Sequence, residues 1–220
     1  MPLLAMAGLM SAFCSSAADL KGDWAEDHLV PFDYNDYGSD YGQVLKEQLL
    51  VTPATFARMV VIPAEQGEFA VSVYSKMIDS AAHFRVAYAV ADRDIWYERE
   101  YGSKEPVPVK RLDVEISQAA TLAVCRAWKE MLARVKPYDQ EPPFIMVDGT
   151  DVVFSVDGVA VQGALPLKGG KHTETLHKIG KLLIAYCKAG ESKRPTIATQ
   201  IEHEANALVE NLKKERGAKE

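Results

Sequence analysis

The side chains of this chain able to do chemistry are five histidines, three cysteines and 31 Asp and Glu residues, and their spacing decides what that chemistry is. His28, His83, His172, His177 and His203 include no i, i+4 pair. His172 and His177 stand five apart, about 140° around a helix, so both cannot face one ion from an intact turn and they read as solvated residues near a helix start. The run Asp33-Tyr34-Asn35-Asp36-Tyr37-Gly38-Ser39-Asp40 resembles a calcium loop at its first, third and sixth places, but Tyr37 stands at the fifth and Val44 where the bidentate Glu belongs. Lys168-Gly169-Gly170-Lys171-His172-Thr173 places amides and positive charge before a helix, which reads as a flexible glycine turn in preference to a weak anion or carboxylate site, and Leu165 occupies the position where a P-loop needs glycine. No G-x-S-x-G elbow occurs, and no Asp/Glu pair is singled out as an acid and base. These patterns predict no metal and no cofactor, assign no catalytic residue, and lean away from an enzyme.

Cys125 and Cys187 fall on helical patterns in register with apolar residues, Leu122, Cys125, Trp128 and Leu132 in one and Leu176, Ile179, Leu183 and Cys187 in the other. They are either two small apolar core residues or a disulfide, and an oxidising compartment favours the disulfide. Closing that loop of about 62 residues contributes ~4 kcal/mol in the chain-entropy account.

The compartment is read from the charge distribution. Lys and Arg number 25 against 31 Asp and Glu, a net charge of −6 that gives no general attraction to nucleic acid or to an anionic membrane. Residues 1–18 carry none of this charge. An apolar block from Leu3 to Phe13, then Ser15-Ser16-Ala17-Ala18 and a polar run, is laid out as a signal peptide too short for stable membrane insertion, although it lacks the usual basic start. A buried N-terminal helix is the competing reading. Lipid attachment at Cys14 is disfavoured by the bulky Phe13 before it. The expected location is periplasmic or secreted.

The elements that must position these residues follow. Residues 19–54 form an acidic aromatic segment rich in turn residues, with a short helix from Tyr41 to Leu50 that Asp40 is placed to cap. Strands are predicted around Phe56–Ile62, Phe69–Tyr74 and Phe84–Val90, the last extended by Ile95–Glu98, and at Val107–Ile116. Short connections favour an antiparallel meander, half covered and half wet. Ser117 caps a helix running to Val135, and a second hairpin group spans Phe144–Val147, Val152–Val156 and Val159–Gln162, joined at Asp148-Gly149 and Asp157-Gly158. A helix from His172 or Thr173 to Lys188 closes the core of residues 55–190. Residues 191–220 add a last helix with the stripe Ile197, Ile201, Ala205, Leu208 and Leu212, for packing on the domain or for a homodimer, and a frayed tail. Runs of strands and helices that do not alternate one by one define an α+β fold.

Trp128, Met131 and Leu132, then Asp148-Gly149-Thr150, Phe154, Gly163, Pro166 and the Leu183–Tyr186 helix, about 60 residues in all, resemble a pattern in exported bacterial proteins without an assigned activity. The resemblance implies a shared fold and carries over no catalytic residue.

One positive signal remains. Trp24, Phe32, Tyr34, Tyr37 and Tyr41 lie in a polar segment, and Trp96, Tyr97 and Tyr101 sit among charges, the composition of recognition surfaces. The alternative is that the N-terminal aromatics pin this segment onto the sheet. The sequence therefore predicts an exported non-catalytic protein that binds a macromolecule, in the manner of an inhibitor or immunity factor. Its contact residues are Asp33, Asp36, Tyr37 and Asp40, and its partner is a basic envelope protein or wall-active enzyme. The rival reading is a small envelope hydrolase with an Asp/Glu pair.

Overall fold

The computed structural model describes residues 29–34, 40–50, 55–135, 149–165 and 171–218. The expected signal peptide, the strand at Phe144–Val147 and Lys168–Gly170 of the Lys168–Thr173 loop lie outside them. The fold is α+β. One antiparallel sheet is built from β1 (Val30–Pro31), β2 (Thr55–Ile62), β3 (Phe69–Ile78), β4 (Ala81–Ala91), β5 (Val109–Glu115), β6 (Thr150–Val156) and β7 (Val159–Leu165), in the order β1-β7-β6-β2-β3-β4-β5. The meander β2 to β5 and the hairpin β6–β7 are thus one sheet, joined where Met59 of β2 pairs with Phe154 of β6. Two-residue turns at Asp79-Ser80 and Asp157-Gly158, all four residues at positive φ, fit the right-handed strand twist.

From Ala57 onward the strands alternate. Ala57, Met59 and Val61 of β2 point to one face with Val71, Val73, Val86, Tyr88, Val152 and Phe154, and that face is covered by helices. Helix α3 (Gln118–Leu132) lies over β2, β6 and β7, and α4 (Lys171–Lys188) over β3, β4 and β5. The last helix, α5 (Arg194–Gly217), packs on both. Ser117 caps α3 as its sequence predicts, its Oγ accepting the Ala120 N–H at 3.1 Å. Gly180 lets α4 press on the sheet, because a Cβ there would meet Met59 Sδ at 2.3 Å. The α5 stripe Ile201, Ala205, Leu208 and Leu212 is buried, so the apolar surface that suggested a homodimer is covered by the protein's own α3 and α4. A polar clasp holds the end of α5. Glu215 accepts from His172 Nε2 at 2.7 Å and pairs with Arg134 at 3.4 Å. His172 is therefore buried and hydrogen-bonded to Glu215 rather than solvated.

Three further expectations are corrected. Ile95–Glu98 does not extend a strand but belongs to α2 (Ile95–Glu100), because Asp94 Oδ1 accepts the Tyr97 N–H at 2.8 Å and supplies a helix start. Asp40 precedes α1 (Tyr41–Leu49) without a side-chain capping bond, since its carboxylate is taken by Arg99 of α2. The Cys125–Cys187 bridge is not formed and both remain thiols. Cys187 is turned to the sheet, donating to the Val86 carbonyl at 3.6 Å. On α3 the buried stripe runs through Ala120, Val124, Ala127, Trp128 and Met131, which leaves Cys125 half-buried on the flank and Leu122 exposed.

Trp128 is the centre of the helical face. It is wholly buried, edge-on to Phe154 with ring centroids 6.0 Å apart, and its Nε1–H donates to the Arg58 carbonyl at 3.2 Å. Trp128→Ala is expected to cost about 3–5 kcal/mol, measured as a lowered urea midpoint. Burial pushes the Cys187 thiol up to about 12, so it stays protonated at neutral pH. Alkylation of the native protein without reductant should label Cys125 well before Cys187, and unfolding should expose both; a bridged protein would label at neither.

Candidate functional site

Among the described residues, two short helices and the segment around Phe32 and Tyr34 pack on the second face of the sheet. Val60, Ala70, Ala89 and Val153 are buried under Tyr41, Leu45 and Leu49 of α1 and Ile95 of α2. Beyond that row the same face carries a mostly polar file set by register, broken by Ala87: Ser155, Arg58, Ser72, Ala87 and Asp113 are successive partners across β6, β2, β3, β4 and β5. Arg58 Nε donates to Ser72 Oγ at 2.9 Å, and Asp113 accepts from both Tyr74 Oη at 2.7 Å and Arg85 Nε at 2.8 Å.

Helix α2 is held by a buried carboxylate. Glu68, 1% exposed, accepts the Ile95 N–H at 2.8 Å, the Trp96 N–H at 3.2 Å and the Tyr41 hydroxyl at 2.7 Å. It thus satisfies the first amides of one helix and ties it to the next. With Ile95 facing in, the two aromatics of this short helix and the tyrosine that caps it face out: Trp96 is 44%, Tyr97 56% and Tyr101 69% exposed. The rings pack as a ridge, Trp96 to Tyr101 at 5.6 Å and Tyr97 to Tyr101 at 5.5 Å between centroids. Around it Asp92, Asp94, Glu98, Glu100 and Glu105 outnumber Arg93, Arg99 and Lys104, and Arg93 is engaged by Glu98 at 2.6 Å. Such a ridge offers π faces to a cation and apolar edges to a partner, inside an acidic frame.

The predicted contact residues are divided. Asp40 reaches the ridge through its ion pair with Arg99. Asp33 lies at the opposite end, on a cleft of about 730 Å³ between the N-terminal segment, the start of β2 and the β6–β7 turn. Asp36 and Tyr37 lie outside the described residues. The cleft is lined by Phe32, Tyr34, Phe56 and Arg58 among others, and also by Asp157, which pairs with Lys129 at 2.6 Å. Phe32 and Tyr34, edge-to-face at 4.9 Å, pack on the second face and pin the N-terminal segment there.

Sequence reasoning singled out Trp96, Tyr97 and Tyr101 but passed over Glu68, Arg58 and the Tyr34 hydroxyl. The available signal for Arg58 was a lone charge inside the apolar strand Thr55–Ile62. Among the described residues no group of three or more His, Cys, Asp or Glu is placed to hold a metal, and no helix is long and apolar enough to cross a membrane.

Replacing Glu68 by Ala strands two amides and a hydroxyl and is expected to cost about 1–3 kcal/mol, with hydrogen exchange at Ile95 and Trp96 accelerated first. Burial raises the Glu68 carboxyl above its ordinary value, against its hydrogen bonds from Ile95 and Tyr41, which lower it. Its ionisation therefore opposes folding. The stability this group contributes is largest below the ordinary carboxylate range and is lost as pH rises from that range through the raised value, a slope that Glu68→Gln should remove from pH-dependent thermal melts. Neither a family model, nor a curated protein, nor a solved structure matches the chain, so the functional reading rests on this geometry.

Proposed function

We propose that this is an exported, non-catalytic protein of the cell envelope that binds a basic macromolecular partner through the aromatic ridge of α2. The observation that carries the reading is the exposure of three large aromatic side chains together, Trp96 and Tyr97 on the six-residue helix α2 and Tyr101 at its C-terminal cap. A soluble domain leaves such clustered apolar area open chiefly where another molecule covers it. The acidic frame selects the sign of the partner: Arg and Lys side chains can lie over the rings while pairing with Glu98, Glu100 or Asp94. Export is supported by the charge-free residues 1–18 alone. A wall-active enzyme with an anionic substrate carries the complementary basic surface, which makes inhibition or immunity the natural role.

The hydrolase reading would use Asp33 and Asp157, which line one cleft. The ion pair of Asp157 with Lys129, at a two-residue turn where Asp157 has φ 48°, accounts for that residue structurally and favours binding over catalysis.

Trp96→Ala and Tyr101→Ala remove side chains that the core does not use, so stability should change by no more than about 0.5 kcal/mol. Each is expected to weaken capture of the partner from envelope extracts by about thirtyfold, and rising salt should weaken it further. A partner-free wild-type protein that hydrolyses a glycan or peptide wall substrate, and loses this with Asp157→Asn, would overturn the reading.

A further inference from the structure

The last strand of the sheet offers a surface of a different kind from the α2 ridge. Among the described residues β5 pairs with β4 alone, from Arg85↔Glu115 to Ala91↔Val109, and ends the strand order. At the opposite end β1 is two residues long and includes Pro31, whereas β5 presents seven residues, of which Lys110, Arg111, Leu112, Asp113 and Glu115 are exposed. Two bonds at its ends fix which backbone groups face outward. The Asp92 N–H donates to the Pro108 carbonyl at 2.9 Å and the Ile116 N–H to the Phe84 carbonyl at 2.9 Å. Even-numbered residues therefore turn their N–H and C=O to β4, and Val109, Arg111, Asp113 and Glu115 turn theirs away from it. These four outward N–H groups have no acceptor among the described residues, and such an edge is a template for another strand.

Three of the outward carbonyls already accept one side-chain donor each: Val109 from Arg111 at 3.4 Å, Asp113 from Arg85 at 3.1 Å and Glu115 from the Tyr186 hydroxyl at 2.7 Å. Each keeps a second lone pair for a strand alongside. Arg111 also donates to the Gln48 carbonyl, and the Asp113 carboxylate accepts from Tyr74 and Arg85. Leu112, 41% exposed, pairs with Tyr88 and so lies on the helix-covered face, where Lys188 of α4 stands over the Tyr88 ring at 4.7 Å.

We propose that β5 pairs edge to edge with β5 of a second copy of this chain, antiparallel about a two-fold axis at Leu112, so that two sheets become one. A two-fold axis that sets adjacent strands antiparallel runs perpendicular to the sheet. It keeps like faces on the same side and pairs outward residues with outward residues. Few registers then remain, and charge chooses among them. An axis at Lys110, Arg111 or Asp113 sets that residue against its own copy, and an axis at Val114 sets Asp113 against Glu115, each a like-charged pair directly opposite. An axis at Leu112 sets Arg111 against Asp113 of the second copy twice, Lys110 against Val114, Val109 against Glu115 and Leu112 against Leu112, with no like charges opposed. It also makes the Leu112 pair a non-hydrogen-bonded one, the closer kind, flanked on both sides by Arg111–Asp113 pairs that exchange backbone bonds. Both α2 ridges then stand on one side of the joined sheet, although the pairing does not depend on what the ridge binds.

Sedimentation velocity of the full chain between about 5 and 500 μM should show a reversible monomer–dimer equilibrium, with amide exchange at Arg111 and Asp113 slowing as concentration rises. Leu112→Lys replaces a side chain that the core does not use and sets two ammonium groups at the axis, so it should weaken the dimer at least about tenfold with thermal stability nearly unchanged. Arg111→Asp and Asp113→Arg each set like charges opposite one another twice, and each alone should be monomeric. Mixed in equal amounts they should form a heterodimer, seen by native mass spectrometry, because every reversed charge then meets an opposite one; a role confined to the fold of one chain would give no such rescue. If Asp113→Arg does not fold, for want of its bonds to Tyr74 and Arg85, Leu112→Lys and Arg111→Asp decide. The proposal is overturned if the wild-type chain stays monomeric at about 500 μM, whatever other molecule the edge takes, if a dimer forms that Leu112→Lys leaves as tight, or if the two folded charge reversals do not associate on mixing.

Discussion

A seven-stranded sheet presents two broad faces that must be shielded from water, and the long amphipathic helices among the described residues shield one of them. Helices α3 and α4 divide the first face between them and α5 covers their outer side. Among the described residues the second face is covered by the nine residues of α1, the six of α2 and the segment around Phe32 and Tyr34. Alternation along the strands follows this asymmetry. Side chains towards the helices are almost all apolar, whereas those on the second face pass from Val60 and Ala70 under α1 to the hydrogen-bonded Arg58 and Ser72 one row along.

Short helices bury little area, so their seat on the sheet has to be locked by polar contacts. Glu68 does this for α2 by occupying its first two amides and by accepting the Tyr41 hydroxyl, so that one carboxylate joins β3, α1 and α2. The chain from Ile95 to Glu100 is rich in aromatic residues, which favour strands, yet it is helical because Glu68 and Asp94 satisfy the amides that a strand would have paired with a neighbour. Once the helix forms, its geometry decides that Ile95 is buried and that Trp96, Tyr97 and Tyr101 are exposed together.

The aromatic ridge and the cleft both lie on the second face. The ridge stands where α2 has been set down on the sheet, and the cleft opens beyond α1, beside the hairpin turn at Asp157-Gly158. The N-terminal segment links them. Asp40 reaches the ridge by pairing with Arg99, while Phe32, Asp33 and Tyr34 line the cleft. The acidic aromatic segment therefore serves in part as satellite core and in part as the wall of a cleft.

The sequence by itself determined what local periodicity and local capping can encode. The α+β class, the meander, the Asp157-Gly158 hairpin, the Ser117 cap, the α4 face through Leu176, Ile179 and Leu183, and the buried stripe of α5 were all legible, because each rests on residues within a few positions of one another. The reading slipped where register was ambiguous by one position, as on α3, where Leu122 is exposed and the seam passes through Val124 and Trp128. Only the tertiary structure could decide the contacts between distant parts of the chain. Among these are β6 pairing with β2 to make one sheet, Asp40 turning from a cap to Arg99, and Cys187 turning to Val86 rather than to Cys125. So too is the meeting of Tyr34, Arg58 and Ser155, from three separate stretches, around one cleft. Side-chain periodicity states which face a residue occupies within its own element, and the partner on that face is chosen by the packing of the whole sheet.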